Sequence, residues 1–465
     1  MQVFGRDIIK YKRNGKKNMN HDLTTGNITK SLLWFAFPIM VGNLLQQLYN
    51  VVDTIIVGRF LGREALAAVG SAYTLMTFLT SIILGLCMGS GVAFSICIGR
   101  KELEKLRASL FHSLCMIGAV TVLLMAIVFL GLDEILYLLR VPAELYEMMK
   151  TYLWVIFWGI AATFFYNYFG SLLRAAGNSF VPLLFLGVSA VVNIGLDLLF
   201  VIGFQRGVRG AAEATVLSQY LSGIGIFLYT WICFPEFRLN RQAVKWRPKI
   251  LNELVHLSFL TCVQQSVMNF GILMVQGLVN SFGAAVMAAF SAAVKIDSFA
   301  YMPVQDFGNA FSTFIAQNYG AGKQKRIQQG VRSAVRTSFL FSVAVSAAVV
   351  IFARPLMRIF VKATEADVLQ IGVNYLRIEG TFYCLIGFLF LFYGYFRAVT
   401  KPGISLVLTI ISLGTRVLLA YALSAVPSIG VNGIWAAVPI GWFLADVSGY
   451  LYYRKNKTLQ IQKDS

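Results

Sequence analysis

The sequence predicts an all-helical integral membrane protein whose twelve transmembrane helices form two duplicated six-helix halves. Three observations carry this. The 465-residue chain is 57% hydrophobic and only 13% charged, with a mean hydropathy of +0.69, whereas soluble domains carry about 25% charged residues. Apolar runs recur along the whole chain, each of roughly 20 residues or more and so long enough to cross a bilayer as a helix. The chain also repeats itself. Residues 172–230 lie over 395–453 without a gap, so that Arg174-Ala175 meets Arg397-Ala398 and Gly207-Val208-Arg209-Gly210 meets Gly430-Val431-Asn432-Gly433. The stretch from Gly62 to Gly99 likewise lies over that from Gly283 to Gly320. Two related halves in a hydrophobic chain mark a secondary transporter, with its site between or within the repeats.

In chain order, residues 1–30 read as a basic arm. Its first 18 residues lack the apolar core of a cleaved signal peptide, and Met19 offers a more natural start. The N-lobe, 31–233, holds apolar runs at about 32–57, 66–93, 107–130, 149–172, 181–203 and 210–233. Pro38 lies in the first of these and frees a backbone carbonyl there, which permits a bend. Residues 234–251 form the longest polar gap and read as a cytoplasmic linker. The C-lobe, 252–453, has runs at about 252–279, 286–314, 333–353, 373–396, 404–425 and 431–453, followed by a basic tail, 454–465.

Orientation follows from the basic residues. They concentrate in alternate gaps, including Arg100, Lys101, Lys105 and Arg107, then Arg238, Arg241, Lys245, Arg247 and Lys249, then Lys323, Lys325 and Arg326. The tails add Lys10, Lys12, Arg13, Lys16, Lys17, Arg454, Lys455 and Lys457, whereas the other gaps hold few, such as Arg59, Arg63, Arg140, Arg206 and Arg209. Both termini are therefore expected to be cytoplasmic. The net charge of +19 sits between spans rather than on one face, which argues for a lipid bilayer and against nucleic acid as partner.

An ionisable residue inside a span is costly and points to function. The first half offers Asp53, Asp197 and Glu213. Asn193 and Asp197 are four residues apart and so share one helix face. Glu213 lies near Arg209 and reads as an interface residue. In the second half the equivalents of Asn193 and Asp197 are Arg416 and Ala420, so the acid pair is not duplicated. Gln264, Asn269, Asp297, Gln305, Asp306 and Asn309 read either as interhelical hydrogen bonds or as the lining of a substrate cavity. Lys295 and Asp297 are two apart and make no same-face pair.

Other chemistries lack their residues. There is no GxxxxGK[ST] loop for ATP and no HExxH. The six cysteines form no CxxC pair and read as packing residues. His21, His112 and His256 are well separated, which weakens a membrane-enzyme reading.

The motifs Asp22-Leu23-Thr24-Thr25-Gly26-Asn27-Ile28, Phe37-Pro38, Asn50-Val51-Val52-Asp53-Thr54, Leu173-Arg174-Ala175-Ala176-Gly177-Asn178, Asn193-Ile194-Gly195-Leu196-Asp197, Gly207 to Thr215, and Ala316-Gln317-Asn318-Tyr319-Gly320-Ala321-Gly322 together resemble MATE (multidrug and toxic compound extrusion) transporters. The resemblance spans residues 22–453 and is nearest to the DinF-like branch. It implies two six-helix lobes in a V around a central cavity, and export of organic cations or amphipathic compounds in exchange for H⁺ or Na⁺. It implies cation-coupling roles for Asp53, Asn193, Asp197 and Thr215, with Na⁺ as the metal ion these four would hold and no other cofactor. It further implies a monomer, multi-pass in the bacterial inner (plasma) membrane. Another branch carries acids in its seventh and tenth helices. Here the corresponding stretches, Cys262 to Asn269 and Leu385 to Leu389, hold no carboxylate, which speaks against a C-lobe cation site. The rival reading is a lipid or lipid-linked oligosaccharide flippase, for which cavity arginines would face the pyrophosphate and Arg174 and Arg416 are the candidates.

Overall fold

The computed structural model describes residues 22–138, 141–362 and 364–464. Residues 1–21, with Lys10, Lys12, Arg13, Lys16 and Lys17, and Arg140 lie outside the described residues. Helices α1 (Ile28–Phe60), α2 (Arg63–Arg100) and α3 (Leu103–Leu130) are followed by the short α4 (Leu132–Leu138). Next come α5 (Ala143–Ile156), α6 (Gly159–Ala175), α7 (Phe180–Asp197) and α8 (Gly207–Cys233). The second half runs through α9 (Pro248–Asn280), α10 (Ala284–Gly320), α11 (Gln324–Ile351) and the short α12 (Ala353–Met357). It ends with α13 (Ala366–Thr381), α14 (Tyr383–Ala398), α15 (Pro402–Ser424) and α16 (Val431–Asp464).

Among the described residues, ten helices are long and apolar enough to cross a membrane, and the count reaches twelve when each of two bent pairs is one span. The bends lie between α5 and α6, at 40°, and between α13 and α14, at 52°. The sequence reads both regions as continuous apolar runs, because hydropathy does not register a bend. The second break follows Gly380 and Thr381, whose hydroxyl donates to the Arg377 carbonyl at 2.6 Å. Such back-bonding loosens a helix. Large apolar side chains lie exposed along the helices, among them Trp34 (62%), Val191 (72%) and Leu418 (73%), as a lipid-facing surface requires.

The chain forms two compact units. The first comprises Phe37–Cys262 with Met1–Gly26 and Ala316–Gly322, and the second comprises Val263–Ile315 and Lys323–Ser465 with Asn27–Ala36. The division between the units thus falls within α9, past the polar linker. The linker itself is pinned to the first unit. His112, fully buried, sits with Nδ1 2.7 Å from the Ala108 carbonyl, and its Nε2 accepts from the Arg247 backbone N–H at 2.8 Å. Those two partners require the neutral tautomer with hydrogen on Nδ1. Arg107 Nε also donates to the Glu236 carbonyl at 2.9 Å, and Lys105 pairs with Glu253 at 2.9 Å.

Glycine decides how closely the helices of the first unit pack. A Cβ on Gly85 would lie 2.5 Å from Cys262 Cα, and one on Gly89 2.5 Å from Ser258 Cα. Beside them Ser90 and Ser258 share a hydrogen bond of 3.0 Å. Further along α2, Gly99 packs on the Gln317 carbonyl and Gly320 on the Ile96 carbonyl. Gly99 and Gly320 are equivalent in the repeats, as are Ile96 and Gln317. The contact is therefore reciprocal, and both its sides need a residue without a side chain.

In the second unit Trp435 stacks on Phe290 at 5.3 Å and meets Tyr375 edge-on at 5.0 Å. Gly308 and Gly394 allow α10 and α14 to touch, a Cβ on Gly394 falling 2.5 Å from the Gly308 carbonyl. Replacing Gly89 by Val should destabilise the detergent-solubilised protein by about 1–3 kcal/mol, the usual cost of overpacking. Gly70→Ala, at a site with nothing within 4 Å of the new Cβ, should change the unfolding temperature little. Thermal unfolding of the two variants measures the difference.

Candidate functional site: a buried carboxyl pair in the first unit

Asp53 lies on α1, about two turns before its end. Asp197 is the last residue of α7 before the helix widens into a π-helical turn, Leu198–Gly203. Such wide turns often occur at functional sites. Asn193 lies one α-turn earlier on the same face, and Thr215 lies on α8. The structure brings all four together. The carboxyl groups of Asp53 and Asp197 face each other at hydrogen-bonding range. Asn193 Nδ2 approaches Thr215 Oγ1 at 3.4 Å, which turns the amide so that its oxygen is left as an acceptor. Asn193 and Asp197 are 2% and 1% exposed, and Asp53 is half-buried. Tyr49 and Tyr152 lie close by.

What distinguishes this group is missing donors. Among the described residues, no N–H or O–H donates to Asp53 Oδ1, to either carboxyl oxygen of Asp197, or to Asn193 Oδ1. Buried polar atoms are rarely left so, because each costs about 1–3 kcal/mol. Two carboxylates in a weakly polarisable setting cannot both stay ionised without a counter-charge. Converging oxygen acceptors with surplus negative charge fit a small cation. A proton shared between the carboxyls would satisfy them, as would Na⁺ held by their oxygens with the Asn193 carbonyl and the Thr215 hydroxyl.

Glu213 does not join this group. Arg206 Nη1 lies 2.6 Å from its Oε2 and Arg209 Nε 3.0 Å from its Oε1, so it is a structural ion-pair residue at the start of α8. In the second unit, the six residues singled out as cavity lining lie on α9 and α10. Gln264 and Asp306 are buried, and Asn269 and Gln305 are half-buried. Asn309 accepts from Arg397 Nη2 at 3.4 Å, and among the described residues no hydrogen bond links the six to one another. Asp297 belongs to a different cluster. Its carboxyl accepts from the Tyr383 hydroxyl at 2.7 Å, and Tyr375, Glu379 and Arg416 lie around it.

Sequence reading missed Glu379 and Asp446. Glu379 lies in the tenth apolar run, 2% exposed, six residues before the stretch inspected for acids. Asp446 lies in the twelfth run, 9% exposed, with neither carboxyl oxygen receiving a hydrogen bond. A search of every span for carboxylates would have found both.

Ten to twelve candidate spans around a buried acid pair without a donor among the described residues fit a membrane transporter. A family model described as MatE matches residues 38–199 and 258–422, and the chain belongs to that family. It is 29% identical over 437 residues to the probable multidrug resistance protein YpnP of Bacillus subtilis, covering 93% of this chain and 96% of that protein. It is 27% identical over 415 residues to the probable multidrug resistance protein NorM of Thermotoga maritima, covering 88% of each. In fold it matches a MOP superfamily transporter from Pyrococcus furiosus with a TM-score of 0.87, at 24% identity, over 93% of this chain and 97% of that one.

Filling the acid pair with a cation should stabilise the fold by linkage. At about 100 times its dissociation constant the gain is about 2.7 kcal/mol. Thermal unfolding of the purified protein across Na⁺ and pH titrations should show this gain, and Asp53→Asn or Asp197→Asn should flatten it.

Proposed function

We propose that this protein is a multidrug efflux antiporter of the DinF-like branch, exporting organic cations or amphipathic compounds in exchange for H⁺ or Na⁺. The observation that carries the reading is the set of buried, donorless oxygens on Asp53, Asn193 and Asp197. The names of the curated relatives support the substrate class. The distribution of basic residues supports a multi-pass topology in the bacterial plasma membrane with both termini cytoplasmic, and the protein is proposed to act as a monomer.

In this mechanism Asp53 and Asp197 share one cation, and Asn193 and Thr215 orient and complete the site. Cation entry changes the charge at α1 and drives drug release, by competition for the same negative charge or by bending α1 at Pro38. Gln264, Asn269, Asp297, Gln305, Asp306 and Asn309 are proposed to tune drug preference. Inward movement of one positive charge is driven by about 2.3 kcal/mol per 100 mV. The flippase reading is less well supported. Arg174 is held by the Ser171 hydroxyl at 3.2 Å, and Arg416 lies among acids rather than in a basic pocket.

The test is efflux of cationic dyes from proteoliposomes under imposed pH or Na⁺ gradients. Asp53→Asn should abolish export with expression retained. Asp197→Asn should remove ion-dependent drug release, and Asn193→Ala should weaken it. Efflux that persists after the gradients are dissipated, or normal drug resistance in cells carrying Asp53→Asn, would reject the coupling role. Asp297→Asn or Asp306→Asn should shift drug affinity and leave ion coupling in place, as drug binding with and without the gradient will show.

A further inference from the structure

The internal repeat that places Arg174 on Arg397 and Gly207 on Gly430 also places Tyr152 on Tyr375, Asn193 on Arg416 and Asp197 on Ala420. The structure gives these equivalences a chemical content. In the first unit Tyr152 lies within electrostatic reach of the carboxyl pair of Asp53 and Asp197. In the second, Tyr375 lies beside another carboxyl pair, Asp297 and Glu379. Each half therefore holds two acids next to the same tyrosine, although the second pair comes from α10 and α13 rather than from the counterparts of α1 and α7.

The difference lies in the counter-charge. The first pair has an amide at Asn193 and, among the described residues, no cationic side chain shifting either carboxyl. The second has the Arg416 guanidinium in the amide's place, within electrostatic reach of both Asp297 and Glu379. The position of the lost carboxyl is Ala420, fully buried. We propose that Arg416 is a tethered cation, holding in the second half the place that an exchangeable ion takes in the first.

A guanidinium keeps its proton under all physiological conditions, so this half would be permanently loaded. Asp297 is further fixed by the Tyr383 hydroxyl, and Glu379 Oε1 and Arg416 Nε are buried without hydrogen-bond partners of their own. Among the described residues no salt bridge joins the two. Removing the guanidinium would leave two buried carboxyls without a counter-charge, which is the condition of the first site. This inference rests on reading Asp53 and Asp197 as an exchangeable-ion site.

The experiment counts cations bound by the full-length protein, as ²²Na⁺ bound and as protons taken up on an acid step. It is run in the Asp53→Asn background, which silences the first site. Adding Arg416→Gln there should gain about one cation per chain, because two buried acids then lack a counter-charge. Adding Glu379→Gln as a third change should remove that gain. Arg416→Lys retains the charge and should gain nothing. No gain in a folded Arg416→Gln variant overturns the proposal. Should that variant not fold, Glu379→Gln in the otherwise unchanged protein decides. An unaltered cation count supports a permanently loaded second half, and loss of one cation overturns it. Failure of the first-site reading shows separately, as an unchanged count in Asp53→Asn alone.

Discussion

Two carboxyl groups that face each other in the first unit, their buried oxygens without a donor among the described residues, impose a cost that the surrounding helices must bear. A span can tolerate such a group only where protein surrounds it. Asp53 and Asp197 come from helices far apart in sequence, so their approach depends on the tertiary packing of α1, α7 and α8. The π-helical turn that begins at Leu198 ends the regular part of α7 directly after Asp197. The Asn193–Thr215 contact fixes the amide that completes the group. Acids elsewhere are treated otherwise: Glu213 is neutralised by two arginines, and Asp297 accepts from the Tyr383 hydroxyl with Arg416 within electrostatic reach.

The packing around that group relies on backbone proximity. Where α2 meets the start of α9, and again where it meets the end of α10, glycines replace side chains, and serine hydroxyls or main-chain carbonyls fill the contact. Without a hydrophobic driving force between helices in lipid, close packing of this kind supplies the attraction. The reciprocal pairing of Gly99 with Gln317 and Gly320 with Ile96 shows the duplication at the level of single atoms. Each repeat presents to the other the same glycine and the same carbonyl.

Much of this was legible in the sequence. Apolar runs located the spans because a bilayer imposes a length, and the motif acids stood out because charge is rare there. Asp53, Asn193, Asp197 and Thr215, expected to act together, do converge. Other features were not legible, for physical reasons. The bends after Ile156 and Thr381 leave hydropathy unchanged, so a window over residues 149–172 or 373–396 reads a straight span. Glu379 sits near the beginning of its apolar run, where an acid looks like a helix-end residue reaching water, and only the neighbouring helices reveal it as buried. The attachment of the linker to the first unit depends on His112, whose role requires a backbone N–H more than a hundred residues away.

Under the proposed coupling, in which the carboxyl pair accepts a single cation, the site also determines which part of an ion gradient can be used. Exchanging one H⁺ or Na⁺ for a singly charged drug moves no net charge, so the membrane voltage contributes nothing and only the concentration difference of the ion does work. A neutral or zwitterionic substrate makes the same turnover electrogenic and adds the voltage, about 2.3 kcal/mol per 100 mV, or close to a fiftyfold steeper gradient. For a dication the voltage opposes export. With one ion per cycle, the valence of the cargo thus selects the power supply, and compounds of similar affinity but different charge would be cleared to very different residual levels.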